Sequence, residues 1–296
     1  MRISALSKRV ALVLAAAVTV VSTGVTVARA ESTEDKVLHD GEITIGIHNQ
    51  VPWGYRNADG SVAGVGPDMI RAVLGPLGVK KVDFVIVDFD ALIPSLLSRR
   101  IDAVASGLAI TLPRCKQVIF SNPDLAIGDA LLVKKGNPLN IHSYADVAKS
   151  PAVRMAGGRG SSAVEHAISA GIPKDRILLL KDVESSVGAL LAGRIDADTE
   201  SSSTVINVLK DPNVGNKLER AMPFTGLVIN GQQVANYAAI AFRPEDAKLR
   251  DTYNESLAKI KADGTVKKIF AKYGFSDSEI APSDMTAKKI CGDDFR

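Results

Sequence analysis

The position of Arg114 in the sequence suits a cationic side chain that binds an anion. Residues 101–123 read IDAVASGLAITLPRCKQVIFSNP, and the apolar first part of that run suits a buried strand. Ser106 and Gly107 let the backbone leave the sheet at its carboxyl end, and Thr111 is expected to cap the helix that follows. Arg114 then falls in the first helical turn, at the edge where an open α/β sheet holds its ligand. A guanidinium there suits a carboxylate, and the alternative is a surface arginine paired with an acid.

A second group of small polar residues begins another helix. Gly160, Ser161 and Ser162 precede an apolar segment with helical spacing. The free N–H groups of such a helix start, with the two hydroxyls, would face an anion. An ordinary serine N-cap explains the same residues equally well.

Acidic residues follow a strand in the second half of the chain. Asp198, Glu200 and Ser201 come after the predicted strand that begins at Ile195. They occupy the topological position that Ser106 takes in the first half. We therefore expect one of them to face the ligand.

Two large aromatic residues lie on loops after predicted strands. Trp53 belongs to the loop at residues 49–55, in which Gln50 also lies, and Phe89 stands between two aspartates. Aromatic rings above the carboxyl edge of a sheet wall a pocket or stack on a cation. Packing as a lid over the core is the alternative.

Signatures of catalysis, metal binding and nucleotide binding are missing from the sequence. The chain has no C-x-x-C motif and no phosphate-binding G-x-x-x-x-G-K-S/T loop, and no histidine pairs with a glutamate at helical spacing. Gly64-Val65-Gly66 lacks the third glycine of a dinucleotide site, and Gly160-Ser161-Ser162 lacks the G-x-S-x-G pattern of a nucleophile elbow. No cofactor, metal or catalytic residue is predicted.

Residues 1–30 have the features of an export signal. A basic start precedes an apolar run, and Ala28-Arg29-Ala30 fits the A-x-A cleavage pattern. We expect cleavage after Ala30 and an exported, periplasmic, soluble protein, with a retained N-terminal anchor as the competing interpretation. Removing four of the 36 basic residues and none of the 33 acids leaves a net charge of about −1. Without a basic stripe, nucleic acid is not an expected partner.

The chain contains two cysteines, Cys115 and Cys291. A disulfide framework is therefore excluded as the basis of the fold. In an oxidising compartment two lone thiols can pair, but the sequence does not show whether their backbones approach closely enough.

A degenerate repeat predicts two similarly built lobes. Residues 96–103 read LLSRRIDA and residues 190–197 read LLAGRIDA, each after a helix-like segment and before a strand. That is the αβ half of a βαβ unit. Other predicted strands are 42–47, 82–87, 152–156 and 177–180; predicted helices are 67–77, started by Asp68 or a neighbour, and 161–170. Two amphipathic helices, broken at Asp263-Gly264, follow from 249.

Two apolar extended runs, at residues 130–133 and 237–242, flank the second block of elements. If both cross between the lobes, they form a two-strand hinge around a cleft that closes on a ligand. We expect a first lobe at 31–129, a second at 130–236 and a return to the first at 237–296. The polar tail after Gly274 is expected to wrap the first lobe loosely.

The order and spacing of several motifs resemble a known family. They are N-x-x-P-W-G-Y at residues 49–55, I-T-x-x-R at 110–114, G-S-S at 160–162 and D-G-T at 263–265. Together they resemble the polar amino-acid group of ABC-transporter periplasmic solute-binding proteins, family 3, across residues 40–275. Within that group, R-C-x-Q-V-x-F-S-N-P at 114–123 and A-F-R-x-E-D-A-x-L-R-D at 241–251 look most similar to ectoine- and hydroxyectoine-binding proteins.

The resemblance implies a two-lobed α/β fold of the type II periplasmic-binding-protein class and roles for individual residues. It makes Arg114 the carboxylate clamp, with Gly107 and Ser106 as first-lobe contacts. Trp53 and Phe89 become aromatic walls. The anion contacts of the second lobe are Gly160, Ser161 and Ser162.

Three positions depart from the family patterns. In amino-acid binders the position of Ala109 carries a hydroxyl and that of Ser201 an aspartate for the α-ammonium. In ectoine binders the position of Gln50 is acidic and that of Ala109 aromatic. The chain therefore keeps two sides of the ectoine cage and loses the third, and neither ligand class transfers to it directly.

The resemblance implies a monomeric, non-enzymatic receptor that hands a small zwitterion to the membrane permease of an ABC importer. Ectoine-type compatible solutes and polar or basic amino acids are the expected ligands. The competing function is a periplasmic lyase of the cyclohexadienyl dehydratase type, in which Glu200 or Asp198 would be a general acid.

Overall fold

The computed structural model describes residues 32–296, so the predicted export signal lies outside the described residues. The strands are β1 (Glu42–Ile47), β2 (Tyr55–Arg56), β3 (Val62–Ala63), β4 (Lys81–Ile86), β5 (Ala103–Val104), β6 (Ile119–Phe120), β7 (Leu125–Ile127), β8 (Asp129–Lys134), β9 (Met155–Gly158), β10 (Ile177–Leu180), β11 (Ala197–Ser201), β12 (Leu218–Arg220), β13 (Val228–Ile229), β14 (Gln232–Gln233), β15 (Asn236–Ala238) and β16 (Ala241–Phe242).

Helices alternate with these strands through most of the chain. The α-helices are α1 (Thr33–Leu38), α2 (Val65–Leu74), α3 (Leu92–Leu97), α4 (Leu112–Cys115), α5 (Tyr144–Lys149), α6 (Ser162–Ser169), α7 (Val183–Leu191), α8 (Ser202–Val208), α9 (Pro212–Gly215), α10 (Ala247–Ala262), α11 (Thr265–Lys272) and α12 (Ala287–Cys291). Short 3₁₀ helices lie at Gly75–Leu77, Phe89–Ala91, Lys174–Arg176, Pro244–Asp246, Asp277–Glu279 and Gly292–Asp294.

The first lobe is a five-stranded sheet with helices on both faces. Its strand order is β4-β1-β5-β16-β6, parallel among β4, β1 and β5 and antiparallel at β16. The alternating sequence of β1 sends Ile43, Ile45 and Ile47 into a core shared with α2 and α10. Val104 and Phe120 face a second core with α3. Burial on both faces fits the near-continuous apolar character of these strands.

The second lobe repeats this arrangement. Its order is β10-β9-β11-β8-β12, parallel among β10, β9 and β11 and antiparallel at β8. Leu131 and Leu132, neighbours on β8, belong to separate cores on the two faces of the sheet. The two-lobed α/β class expected from the sequence is confirmed.

The connection between the two sheets differs from the expected one. Residues 130–133 lie inside the second sheet, paired with β11 and β12, and do not cross between lobes. The paired segments between the sheets are β7 and β15, with Ala126 opposite Tyr237. Of the expected 237–242 run, the first part belongs to this ribbon and Ala241–Phe242 is a strand of the first sheet. An apolar run is ambiguous between a crossing strand and a buried strand, which explains the error.

The repeat has the same backbone in both lobes. Arg99 and Gly193, at equivalent positions, have φ of 61° and 66°, in the left-handed region. The next residue in each copy donates its N–H back into the helix, Arg100 to Ser95 and Arg194 to Ala189. Each turn then leads into a buried strand. The glycine suits this conformation, whereas the arginine is strained there.

Helix ends agree with the sequence in most places. Ser161 caps α6 by accepting from the Val164 N–H, and the break between α10 and α11 lies at Asp263-Gly264, with Gly264 at φ 80°. The start of α2 differs, because Gly64 and not Asp68 precedes its first turn. A Cβ at Gly64 would lie 2.7 Å from the Gly54 Cα, so that position requires glycine.

The segment after Gly274 is tied to the first lobe more firmly than expected. Cys115 and Cys291 form a disulfide, which joins α4 to α12 across a sequence separation of 176. The Arg296 guanidinium donates to the carbonyl oxygens of Cys115 and Lys116. We call residues 282–296 the C-terminal strap.

In the part of the chain that the structure describes, no helix is both long and apolar enough to cross a membrane.

Candidate functional site

A cavity of about 700 Å³, counting its mouth, lies between the two sheets. It is bordered by the carboxyl ends of β1, β4 and β5 in the first lobe and of β9, β10 and β11 in the second. The lining residues are His48, Gln50, Trp53, Phe89, Ser106, Gly107, Ala109, Ile127, Asp129, Gly158, Arg159, Ser161, Ser162, Ala163, Lys181, Asp182, Val183, Glu200, Ser201, Thr204, Asn236 and Ala238. A concave site at the strand ends of two lobes is where α/β proteins bind small molecules.

Most of the residues predicted for the site come together around this cavity. Those that line it are Gln50, Trp53, Phe89, Ser106, Gly107, Ala109, Ser161, Ser162, Glu200 and Ser201. Arg114 and Gly160 are displaced to a neighbouring cavity behind Phe89, which Glu165 also lines.

Arg114 connects the two lobes. Its side chain is 5% exposed, and its Nη1 donates to the Ala109 carbonyl at 2.6 Å. Its Nη2 donates to the carbonyl of Gly160, in the second lobe, at 2.7 Å. Burial lowers the pKa of the guanidinium to about 10, opposed by Glu165, so the group stays charged at neutral pH. Thr111 precedes α4 as expected, but its hydroxyl makes no capping bond.

Gly107 allows Trp53 to reach the cavity wall. Gly107 has φ 65°, and a Cβ there would lie 2.4 Å from the Trp53 Cε3. The indole therefore lies directly against the glycine backbone. Phe275 packs on the same ring with centroids 5.9 Å apart. Trp53 is 5% exposed and is held from both sides.

A chain of hydrogen bonds runs from the first lobe to the second. The Ser106 hydroxyl bonds the His48 Nδ1, and the His48 Nε2 lies 2.9 Å from the Gln50 Oε1. The Gln50 Nε2 and the Trp53 Nε1 each donate to the Thr204 hydroxyl at 3.1 Å. Burial lowers the pKa of His48 to about 4, partly opposed by Gln50, so its ring is neutral. We call Gln50, Trp53 and Thr204 the interlobe latch.

Phe89 divides the central cavity from the one that holds Arg114. The His48 ring meets it edge-on with centroids 5.0 Å apart. The Arg114 guanidinium carbon lies 5.7 Å from its centroid. Phe89 thus screens one face of the guanidinium from the central cavity.

Asp129 is a buried acid that is already partnered. One carboxylate oxygen lies 2.8 Å from the His166 Nδ1, and the other accepts from the Asn236 Nδ2 at 2.7 Å. Asn236 belongs to β15, and Asp129 follows β7 by two positions. This cluster therefore fixes the second lobe to the ribbon that crosses between the sheets.

Glu200 is a cavity-lining acid that forms no ion pair with any side chain of residues 32–296. Burial raises the pKa of Glu200 well above its usual range, and the neighbouring charges of Asp198, Glu184 and Asp129 raise it further. Asp198, two residues earlier, is fully buried, and burial raises its pKa to about 7. The Ser201 backbone N–H donates to the Glu200 carboxyl and partly opposes these effects, so a carboxyl group without a cationic partner meets whatever enters the cavity.

The amino end of α6 supplies hydrogen-bond donors on the second-lobe side. The Ser161 Oγ lies 3.3 Å from the Val164 N–H that it caps, and both Ser161 and Ser162 line the cavity. Arg159 lies beside them and pairs with Asp90 of the first lobe at 3.6 Å. Ser161 thus caps α6 and also lines the cavity.

Twelve of the lining residues were not predicted from the sequence, and they include His48, Asp129, Thr204 and Asn236. His48 follows β1 directly, so its strand-end position was a usable signal. Thr204 lines the cavity only because the two lobes approach each other, and no local sequence pattern indicates this. Asp129 and Asn236 were placed in the wrong context because the crossing strands were assigned to 130–133 and 237–242.

The described residues contain no group of three His, Cys, Asp or Glu side chains arranged to hold a metal ion. What the cavity offers is hydrogen bonding, aromatic surface and carboxyl groups. This chemistry suits non-covalent binding.

Two α/β lobes, a paired-strand connection and a cavity at the strand ends define the class of two-lobed binding proteins. Residues 43–276 match the bacterial extracellular solute-binding proteins, family 3, and the chain belongs to that family. The resemblance inferred from the sequence motifs is confirmed.

Individual relatives cover most of the chain. It is 35% identical, over 88% of its length and 86% of the relative's, to a probable amino-acid ABC transporter periplasmic-binding protein (y4tE) of Sinorhizobium fredii. It is 27% identical to the lysine/arginine/ornithine-binding periplasmic protein of Escherichia coli, over 75% and 83%. These relatives are solute-binding proteins of the periplasm.

Solved structures give the same result. EhuB in complex with hydroxyectoine has a TM-score of 0.78 and 32% identity, covering 88% of this chain and 98% of EhuB. An ancestral arginine-binding protein bound to arginine has a TM-score of 0.67 and 29% identity, covering 79% and 99%. The protein is a solute-binding component of an amino-acid type ABC transporter.

Proposed function

We propose that this protein captures a small zwitterion in the interlobe cavity and presents it to the permease of an ABC importer. The observation that carries the proposal is Glu200, a carboxyl group in the cavity wall whose charged neighbours are acids. A positive group on the ligand would neutralise it. Trp53 and Phe89 supply apolar surface around such a group.

The carboxylate of the ligand would lie toward α6. Ser161 and Ser162 stand at the amino end of that helix, where the peptide dipoles favour negative charge. Arg114 is bonded to the loop before α6, and two of its five donors are engaged by carbonyl oxygens. The remaining donors are available to a carboxylate once the Phe89 ring shifts.

The ligand classes are ectoine-type compatible solutes and polar or basic amino acids. Among the relatives, EhuB forms a complex with hydroxyectoine, and the Escherichia coli protein is a lysine/arginine/ornithine-binding protein. Gln50 and Ala109 differ from the residues typical of the ectoine and amino-acid groups. Glu200 would replace the acid that those groups carry at neighbouring positions.

The chain organisation proposed with this function is a first lobe at 31–129, a second lobe at 130–236 and a return at 237–296. Cleavage after Ala30 would release a monomeric receptor into the periplasm. The lobes would then rotate about the β7–β15 ribbon when a ligand enters.

A ligand panel tests the proposal. Ligand-stripped protein (residues 31–296) is melted with hydroxyectoine, ectoine, arginine, lysine, ornithine, histidine and glutamine. A ligand at a hundredfold excess over its Kd stabilises the native state by about 2.7 kcal/mol, so its melting temperature rises by several degrees. If none of these solutes shifts the melt, the proposal fails.

Glu200 also favours a second candidate function. A carboxyl group that faces a cavity and has its pKa raised well above the usual range is suited to general acid catalysis, as a periplasmic lyase of the cyclohexadienyl dehydratase type would need. An ancestral amino acid-binding protein described as a precursor of cyclohexadienyl dehydratase has 28% identity and a TM-score of 0.70. Turnover of prephenate would establish this function, and its absence with binding of an amino acid would remove it.

A further inference from the structure

Two carboxyl groups stand one behind the other on β11. Asp198 and Glu200 are two residues apart on a strand, so their side chains share a face of the sheet. Glu200 lines the cavity, whereas Asp198 is 0% exposed. The Asp198 carboxyl has the Ser186 hydroxyl as its neighbour and no cationic side chain of a described residue as a partner. Only one member of the pair can therefore meet a ligand directly.

The negative groups around this pair come from several elements. Glu184 on α7 and Asp129 on β8 both act on Glu200. Asp129 is already bonded to His166 and Asn236, so His166 is engaged elsewhere. The electrostatic potential that these elements produce at Glu200 is negative.

The positive groups near the cavity are committed to other partners. Lys181 pairs with Asp182 at 3.3 Å, and Arg159 pairs with Asp90 at 3.6 Å. Arg114 donates to two carbonyl oxygens from behind Phe89. His48, on the opposite wall, is neutral because burial lowers its pKa to about 4.

An unpaired carboxylate inside a protein costs several kcal/mol, so such a group keeps its proton. Asp198 is fully buried, so it keeps its proton up to about pH 7 and is charged above that pH. Glu200 keeps its proton as long as the cavity holds no cation, because each charge that acts on it is negative. The empty cavity therefore carries at least one proton that a cation can displace.

We infer that Asp198 and Glu200 form a proton-release pair that couples the binding of a cationic group to the loss of one proton. The ammonium or amidinium of the ligand converts the Glu200 carboxyl to a carboxylate, the O–H bond breaks, and the proton passes to solvent. Asp198 sets the pH at which this happens. The inference rests on the proposed function, because it concerns the same cavity, and it makes affinity rise with pH.

Calorimetric titration with L-arginine and with hydroxyectoine, in phosphate and in Tris at pH 6 to 8, measures the protons released. The difference in observed heat between the two buffers should correspond to about one proton per bound ligand near neutral pH. Affinity should increase up to tenfold per pH unit below the pH at which Glu200 loses its proton unaided. The wild-type measurement requires no variant to fold.

Three variants separate the roles. Glu200→Gln should abolish the buffer dependence and flatten the pH profile. Above about pH 7, where Asp198 is charged, Asp198→Asn should move the release of the proton to lower pH, because it removes a neighbouring negative charge. Glu219→Gln, on β12 of the same sheet and outside the cavity, should leave proton release as in the wild type.

The outcomes distinguish the two proposals. Binding with no proton released at any pH overturns the proton-release pair and leaves the proposed function standing. Proton release that survives in a folded Glu200→Gln variant also overturns the pair. If neither solute nor any member of the wider panel binds, the proposed function fails and the pair fails with it.

Discussion

Arg114 is buried where the two lobes meet, and its two terminal nitrogens donate to carbonyl oxygens of different lobes. Its planar guanidinium reaches the Ala109 and Gly160 carbonyls together, which a lysine ammonium cannot do. Arg114 therefore joins the lobes through Gly160, and under the proposed function its remaining donors would bind the carboxylate of the ligand.

Arg114→Lys should weaken ligand binding by about 2 kcal/mol or more, since the charge remains but the two-pronged donor is lost. Calorimetric titration with the solute that gives the largest thermal shift measures the loss. Arg154→Lys is the matched control, because Arg154 pairs with Asp196 outside the cavity. An Arg114→Lys protein with wild-type affinity would remove Arg114 from both roles.

Asp198 makes stability depend on pH. Burial raises its folded-state pKa to about 7, above the value of about 4 expected in the unfolded chain. The folded state then binds the proton more tightly, so stability is fully present below pH 4 and declines as pH rises toward 7. The carboxyl group destabilises the folded protein at pH 8 by up to about 4 kcal/mol.

Asp198→Asn should therefore raise the free energy of unfolding of ligand-free protein at pH 8 and change it much less at pH 4.5. Urea denaturation at both pH values measures the difference. Asp83→Asn, an exposed acid on β4, serves as the control. An equal effect of Asp198→Asn at the two pH values would show that Asp198 does not titrate in this range.

At the scale of elements, the C-terminal strap holds the short helix that carries Arg114. The disulfide from Cys291 attaches to Cys115, the residue after Arg114. Arg250 donates to the Arg296 carbonyl at 2.7 Å, which fixes the end of the strap to α10. A helix of one turn has little stability of its own, so its position depends on these attachments.

Replacing both cysteines with serine should lower the free energy of unfolding by about 2 to 5 kcal/mol. Ligand affinity should fall as well, because α4 then moves relative to the cavity. Urea denaturation and calorimetry on the double variant measure the two effects. Unchanged affinity alongside lower stability would limit the strap to a purely structural role.

Strands with a clear alternation or a continuous apolar run could be located from the sequence. β1 and β10 have the bounds expected, because their patterns end sharply at polar residues. β9 lies later than expected, at Met155–Gly158, because its two glycines weaken the pattern at the end that pairs with β10. β7 was not predicted, since three residues are too few to show a period.

The site could be predicted in part for the same reason. Trp53 and Ser106, on segments after β1 and β5, line the cavity because topology brings the carboxyl ends of parallel strands together. Glu200 lines it from within β11, whereas the sequence indicated a segment after that strand. Thr204 depends on how closely the lobes approach, which local sequence does not encode. The hydrogen bond from Arg114 to the Gly160 carbonyl also depends on how closely the lobes approach.

At the scale of the whole molecule, the interlobe latch links closure to hydrogen bonding. Gln50 and Trp53 donate to one hydroxyl on the opposite lobe, and Trp53 is nearly buried. Opening the lobes exposes these donors to water. If the Thr204 hydroxyl is removed while the lobes are closed, the Gln50 and Trp53 side chains lose the acceptor of these hydrogen bonds.

Thr204→Val should destabilise the closed form by about 1 to 3 kcal/mol, the cost of an unsatisfied buried donor. Ligand affinity should fall by roughly 5- to 150-fold, since binding then requires closure against that cost. Small-angle scattering should show the variant becoming compact only at higher ligand concentration, with unchanged circular dichroism. Thr252→Val, on α10, is the matched control.

A wild-type radius of gyration that does not change on saturation would indicate a rigid pocket. Equal affinities for wild type and Thr204→Val would indicate that the latch forms without affecting closure.

The strand order of the first sheet bears on how the chain folds. β16 lies between β5 and β6, yet the whole second sheet separates it from them in sequence. The second lobe can assemble from contacts within residues 129–220, whereas the first must keep a gap until residues 241–242 arrive. Since pairing between distant segments is slow, we expect the second lobe to fold first and the first lobe to be the aggregation-prone part of a newly made chain.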